Sequence, residues 1–366
     1  MNQPAGRIQA LALIRGVAVL GIVAVNVFGF AGPSALLHDP EALGTLATRP
    51  ASALSVAIHT TMLVLFEGKM RALFSVLFGA SLLLFIQRAE SSGRDGTLLQ
   101  LRRLLWLALI GYLHFALLWR GDILFTYACA GAACLALNRL ATPGLLAAAL
   151  VAFTAWQAAE MARHMPTIQA EAHLAQGTAS DSERARLETR QAMLDARSRA
   201  ELAELSMPLP EQIRARLIGD PAYPMRVMWY SLGETVPLML LGMVLFRTNF
   251  FTGGWRANHL KITALAGLGM GGAAMITFVS WARSHGYPDG TMQAMIMYGL
   301  SYPHLLMAMG YAALLALATP ALLGMRAGQG LTAAGRMALS NYIGTSVLLG
   351  LIFMGWGLGR AARVRV

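Results

Sequence analysis

Residues Arg102–Gly131 read "RRLLWLALIGYLHFALLWRGDILFTYACAG". Two apolar runs, 101–119 and 122–138, meet there at a corner made of Arg120, Gly121 and Asp122. Each run comes near the ~20 residues that a helix needs to cross hydrocarbon. Backbone inside a bilayer has no water to bond, so a run of this kind is helical. Gly121 supplies the turn. Asp122 can cap the second helix by accepting from the amides of Leu124 and Phe125. The cap explains the aspartate and leaves Arg120 without a role, so the corner is a candidate site as well as a turn.

The same pattern recurs along the chain. Of 366 residues, 56% are hydrophobic and 13% charged, and the mean hydropathy is +0.55. Further spans are predicted near 8–30, 70–87, 144–161, 225–246, 260–281, 292–318 and 337–358. This predicts an all-α polytopic transmembrane bundle of nine spans, or ten if the run 51–66 also crosses. That run is short and diluted by Ser52, Ser55, His59, Thr60 and Thr61. The first run carries Arg15, is long and lacks a small-residue cleavage site, so it reads as a span rather than a cleavable signal.

A net charge of +11 would point a soluble protein toward nucleic acid. Here the basic residues gather at the ends of apolar runs, where membrane orientation and lipid headgroups use them. Membrane lipids, and no nucleic acid, are therefore the expected partners. Arg88–Arg103, Arg139, Arg247–Lys261, Arg326 and Arg336 fall on one side if every span from 70 onward crosses, and that side is the cytoplasm. In a bacterial inner membrane, Lys69, Arg71, Arg120, Asp122 and the segment 162–224 then face the periplasm. If 51–66 only dips into the outer leaflet, the N-terminus is inside; if it crosses, the N-terminus is outside.

Segment 162–224 is polar. Ser180–Glu183, "SDSE", has capping-box spacing. Asp181–Glu204 holds six acids and five arginines and no apolar stripe wide enough for a core, as in a solvated helix held by its own i,i+3 and i,i+4 pairs. The chain thus divides into a membrane half with the candidate active site (1–161), an external polar helical insert (162–224) and a second membrane half (225–366).

Ionisable groups within apolar runs cost several kcal/mol unless paired or hydrated, which makes them the best signal for a site. Arg15 and Asn26 return to roughly one helix face, near opposite leaflets. Arg15 alone also suits snorkelling to headgroups, and Asn26 an interhelical bond. Glu67, Lys69 and Arg71 crowd the start of a span whose later face has Ser75 and Gly79, a pair suited to close helix packing. His114 lies one turn before the Trp119–Asp122 corner and can titrate. Glu234 is deep in its span and must be protonated, paired with an arginine or hydrated. His304 follows Pro303, and the asparagine and serine of "SNY" suit interhelical bonding.

Other chemistries leave no trace. Cys129 and Cys134 lie about 140° apart around one helix, so no mutual disulfide is predicted. No metal-ligand spacing, phosphate loop or serine–histidine–aspartate order occurs, and no bound metal or cofactor is predicted. "GLGMGG", Gly267–Gly272, follows no strand, so helix packing accounts for it.

Together, "IRGVAVLGIVAVN", "GKMRALFSVLFGA", the opening stretch, "LLGMVLFR" and "GRMALSNY" resemble the DUF418 family of YeiB-like bacterial membrane proteins, in order along nearly the whole chain. The family is distantly similar to the transmembrane acyltransferase superfamily, whose members pass an acyl group from cytoplasmic acyl-CoA to a sugar or glycan on the other face. The shared feature is the arginine–glycine and asparagine pattern of the first helix. Asn26 stands where acyltransferase-3 proteins often have a histidine, and His38 lies roughly where the N-acetyltransferase group carries one. The resemblance also implies one more helix, ending in a pattern like "GPLEWLWR", where this sequence has "GWGLGRAARVRV", Gly355–Val366, with three arginines.

The resemblance implies an acyltransferase-like function with acyl-CoA as donor substrate and a glycan or lipid-linked acceptor. Arg15, Arg102 or Arg103 would meet the donor phosphates. His114 or His38 would be the general base, oriented by Asp122 or Asn26. Lys69, Arg71 and Arg120 would bind the acceptor or a developing oxyanion, with Glu234 as a further binding group. Two alternatives use the same residues: a transporter or lipid carrier leaning on Glu234 and His304, and a non-catalytic interaction protein. Homo-oligomerisation is compatible with all three.

Overall fold

The computed structural model describes residues 5–38 and 53–361, with side chains from Gln9 onward. Residues 51–52 of the ambiguous run and Arg363 and Arg365 of the tail lie outside them. Among the described residues every regular element is helical: α1 (Ala5–Ala31), α2 (Ala53–Leu65), α3 (Lys69–Ser91), α4 (Gly96–Leu117), α5 (Leu124–Leu137), α6 (Thr142–Ala175), α7 (Asp181–Ser206), α8 (Leu209–Arg214), α9 (Tyr223–Arg247), α10 (Ala257–Ser284), α11 (Asp289–Ala294), α12 (Ser301–Leu323), α13 (Arg326–Arg336) and α14 (Ala338–Phe353). Six helical stretches of the described residues are long and apolar enough to cross a membrane, and the pair α13–α14 makes a seventh if counted as one broken span. The protein is a multi-pass, all-α membrane bundle.

The count falls below nine because α4, whose 22 residues include Arg102, Arg103 and His114, is not among the six, and because α5 and α14 are short; the possible tenth span, 51–66, is no separate crossing. α2 and α3 run on as one 39-residue apolar stretch, Ala53–Ser91, interrupted at Gly68, whose φ of 75° suits a residue without a Cβ. α2 therefore prolongs α3 and does not return beside it. α5 has only 14 residues, about 21 Å of helix against a hydrocarbon core of ~30 Å. The run 337–358 holds only the 16-residue α14, which meets the preceding α13 at 90°. α6 departs the other way, continuing past 161 to 34 residues, or about 51 Å. Its second half carries Arg163, Glu171 and His173.

At the centre, α3 and α9 meet backbone to backbone. A Cβ on Gly79 would collide with the carbonyl of Met239, and one on Gly242 with that of Val76. Small residues at such crossings let dispersion and packing hold helices where no hydrophobic effect operates. α1 and α13 use the same device, with Gly16 against Leu331 and Gly335 against Ala12. Gly267 of the "GLGMGG" run packs against Leu306 of α12. Around α3 and α9 lies the main buried cluster, including Leu77, Leu145, Met239 and Met243.

The insert is docked onto the bundle through several of its charges. The capping box forms as the sequence predicts: Ser180 Oγ accepts from Glu183 N, and the Glu183 carboxylate accepts from Ser180 N at 2.8 Å. Some pairs are internal to α7, such as Arg197–Glu201 at 2.8 Å. Others reach the bundle. Glu201 accepts from Ser34 N at 2.7 Å, and Arg190 donates to Asp289 at 3.0 Å and Gln293 at 2.7 Å. The expected i,i+4 pairing is thus joined by ion pairs to other helices.

Candidate functional site

The corner between α4 and α5 builds a buried pair. α4 ends where the amides of Leu118 and Trp119 both return to the His114 carbonyl, at 2.9 and 3.0 Å. The chain then turns so that Asp122 Oδ2 accepts from Phe125 N at 2.9 Å, capping α5. The other oxygen of the same carboxylate lies 3.1 Å from His114 Nδ1, with both side chains 1% exposed. One carboxylate thus ties two helices and addresses an imidazole. Gly111 makes room: a Cβ there would fall 2.4 Å from Phe125 N and 3.0 Å from Asp122 Oδ2. The ring of Tyr342, from α14, packs on His114 with centroids 5.0 Å apart.

Tyr342 is also the wall of a cavity of about 360 Å³. At one end are Arg15, Gln100, Arg103 and Arg336; at the other are Ile110, Leu124, Tyr127 and Tyr342. Along α4 the distance from Gln100 to Ile110 is about 15 Å. The wall between is apolar, with Val19, Phe74, Phe78, Leu104 and Leu107. Arg15 donates to Ser81 of α3. Arg103 donates to Gln100 at 3.1 Å and lies over the ring of Phe85. Several cationic groups at one end with no carboxylate in the lining make that end a receptor for anions.

Of the residues expected to share one cavity, Arg15 and Arg103 line it, and His114 with Asp122 lies directly behind Tyr342. Arg102 is exposed beside it. Arg120 points elsewhere. It meets Glu204 at 2.7 Å and Asp220 at 3.2 Å, and its guanidinium lies over Tyr223. Glu204 also holds Arg216 at 2.8 Å, and Asp220 holds Arg226 at 2.6 Å. Burial pulls the Arg120 pKa down, but hydrogen bonding and charge from Glu204 outweigh it, and the net shift is upward. Arg120 is thus the anchor of the insert.

Lys69, Arg71 and Glu234 form a second cluster at the start of α3, with Lys69 buried and Arg71 and Glu234 half-buried. Arg71 lies 3.5 Å from Glu67 and 3.3 Å from Glu234, so of the three states open to Glu234 the structure has the arginine pair. Lys69 donates to the Leu63 carbonyl at 2.6 Å. His304 is buried against Gly68, where a Cβ would strike its ring, and lies within electrostatic reach of Lys69 and Arg71. The cluster touches the cavity wall at one point: Tyr127 OH bonds Ser75 Oγ at 2.7 Å and the Arg71 carbonyl at 3.3 Å.

Asn26 is half-buried on α1 and does not line the cavity. His38 lies apart too, within electrostatic reach of Asp289, His59, Arg197 and Arg190. Burial lowers its pKa to about 4, against the opposing charge of Asp289. Gln100, Tyr127, Arg336 and Tyr342 were not singled out from sequence. Gln100 sits one turn before Arg103, and Arg336 and Tyr342 bracket the "GRMALSNY" motif, which was read only as helix-to-helix bonding. Among the described residues, no group of three or more His, Cys, Asp or Glu side chains is disposed to hold a metal ion.

Comparison with known proteins adds the following. The family described as "Protein of unknown function (DUF418)" matches residues 245–366. An uncharacterized 39.9 kDa protein in the amylase 3′ region of Bacillus acidopullulyticus is 35% identical over 127 residues, 34% of this chain and 32% of that protein. The uncharacterized protein YxaH of Bacillus subtilis is 34% identical over 125 residues, 34% of this chain and 31% of YxaH. The chain therefore spans about a third of the length of these two relatives. The uncharacterized protein YeiB of Escherichia coli is 26% identical over 357 residues, 95% of this chain and 84% of YeiB. No solved structure matches.

Proposed function

We propose, from the premise that this chain belongs to the DUF418 family and is YeiB-like over most of its length, that it is a membrane-embedded acyltransferase. It takes an acyl group from acyl-CoA and passes it to an acceptor hydroxyl or amine at the end of the bundle that carries α7. In this reading the protein sits in a bacterial inner membrane, with the arginine end of the cavity toward the cytoplasm and the 162–224 insert in the periplasm. The acceptor is a glycan or a lipid-linked compound.

One observation carries the proposal: a single cavity has Arg15, Arg103 and Arg336 at one end and, at the other, Tyr342 packed on the His114–Asp122 pair. The arginines receive the donor phosphates. With Asp122 facing Nδ1, the Nε2 atom of His114 is the proton acceptor. It takes the acceptor proton as the acceptor oxygen or nitrogen attacks the thioester carbonyl. The C–S bond breaks, and the departing thiolate receives that proton and leaves as CoA thiol. Tyr342 separates the imidazole from the cavity, so its ring must shift for the transfer.

The test is release of free CoA thiol by purified protein given acyl-CoA and candidate acceptors, together with thermal protection by acyl-CoA. Protection lost in R103Q, and thiol release lost in H114Q, are the expected results. Absence of both binding and protection in the native protein rejects the reading.

A second reading, a proton-coupled carrier, has its own observation. The half-buried Glu67–Arg71–Glu234 ion pairs lie beside Lys69 and His304, where a π-helical turn, Met295–Gly299, separates α11 from α12. Broken helices flanking buried charges also line transport paths. Flux in proteoliposomes without CoA, abolished by E234Q, would favour it over transfer.

A further inference from the structure

The cavity is not closed on all sides. α4 and α14 both contribute to its lining and touch through His114 and Tyr342, but they share few other close backbone approaches. Between them stand Trp106 and Leu339, which line the cavity while remaining 62% and 37% exposed. The outward side chains beside Trp106 on α4, Leu105 and Leu109, are apolar and exposed. In a membrane bundle such faces meet lipid chains, so the opening leads sideways into hydrocarbon and not into water. The gap is also close to the proposed chemistry, because Leu339 precedes Tyr342 by one turn.

We infer that the gap between α4 and α14 is the seat of a long acyl chain, so that the donor is a long-chain acyl-CoA that reaches the cavity from within the bilayer. The inference rests on the acyl-transfer reading. An acetyl group needs no opening to hydrocarbon beside the reacting carbonyl, whereas a long chain does. The phosphate-bearing head stays at Arg15, Arg103 and Arg336. The arm of the donor follows the roughly 15 Å of cavity along α4. The chain turns out between Trp106 and Leu339, where its methylenes remain in an apolar surrounding and lose nothing on binding. A phospholipid offers the same pairing of phosphate and chain, so the experiment separates the two sources.

Trp106 reports directly. Purified protein in phosphatidylcholine nanodiscs is titrated with stearoyl-CoA brominated in mid-chain, a short-range quencher of tryptophan, and then with excess unbrominated CoA. The expected result is quenching that saturates, is reversed by CoA, and is absent in W106F. R103Q with R336Q should raise the half-saturating concentration at least tenfold, and L339W, which plugs the gap at a lipid-facing position, should remove the reversible quenching. Quenching that CoA does not reverse, or that is unchanged in both W106F and L339W, overturns the inference. So does brominated lysophosphatidic acid quenching Trp106 as strongly as the acyl-CoA while resisting competition by CoA. Thiol release separates the two levels. Reversible quenching without thiol release retains the chain seat and rejects acyl transfer. Equal thiol release from acetyl-CoA and stearoyl-CoA, without quenching, retains transfer and rejects the chain seat.

Discussion

Arg120 and Glu204 lie 2.7 Å apart, joining the corner between α4 and α5 to the end of α7 across 84 residues of sequence. The same carboxylate holds Arg216, whose side chain is 1% exposed. Its removal would leave a buried guanidinium without its counter-charge, which costs about 3–5 kcal/mol for a fully buried pair and less where water reaches it. E204A should therefore lower the unfolding midpoint in detergent and make the segment 162–224 the first site of limited proteolysis. E204Q should recover part of the midpoint by keeping the hydrogen-bond acceptor.

The two oxygens of Asp122 can be separated by substitution. D122N preserves a good cap for α5 and removes the charge facing His114; D122A removes both. Loss of a cap costs roughly 1 kcal/mol. D122N should unfold close to the native midpoint and D122A measurably below it. Thiol release should fall by about 10²-fold in both, on the scale of lost general acid–base assistance. If D122N retained full turnover, the imidazole would not depend on the carboxylate.

Gly335 can be tested as a positioning residue for Arg336. Its approach to the Ala12 carbonyl leaves no room for a side chain. G335V should push α13 off α1 at an overpacking cost of about 1–3 kcal/mol. Because Arg336 follows directly and lines the cavity, the same variant should weaken thermal protection by acyl-CoA, an effect a purely structural loss elsewhere in the bundle would not produce selectively.

The α6–α7 corner should be acid-sensitive. Hydrogen bonds from the Ser180 amide and from His173 lower the Glu183 pKa from 4.5 to about 2. A folded-state pKa below the unfolded one gives stability that is complete above about pH 4.5 and is lost as pH falls toward 2. Hydrogen exchange at Ser180–Arg184 should accelerate over that window, and E183Q should flatten the dependence.

The sequence made the helices legible where a local rule determined them. The α4–α5 hairpin, the capping of α5 by Asp122 and the capping box at Ser180 all follow from interactions within three or four residues. What was illegible depends on contacts that no local pattern encodes. Arg120 finds its partners on α7 and after α8, and a run of carboxylates on a solvated helix looks the same whether or not it is docked. The right angle between α13 and α14 is set by α13 packing on α1, and it carries Arg336 and Tyr342 to opposite ends of one cavity. Mean hydropathy could place 51–66 near a membrane but could not tell a continuation of α3 from a separate crossing.

The brevity of α5 has a consequence for how the protein is made. A segment of 14 residues is too short to be retained by a bilayer on its own merit, since stable spanning needs ~20. Its first turn is fixed by a carboxylate whose second oxygen already faces α4. Release from the translocation machinery should therefore deliver α4 and α5 as one inserting unit, so that D122A, which removes the cap together with the charge, would show part of its defect during biogenesis, as a fraction of chains with α5 lost to the aqueous side.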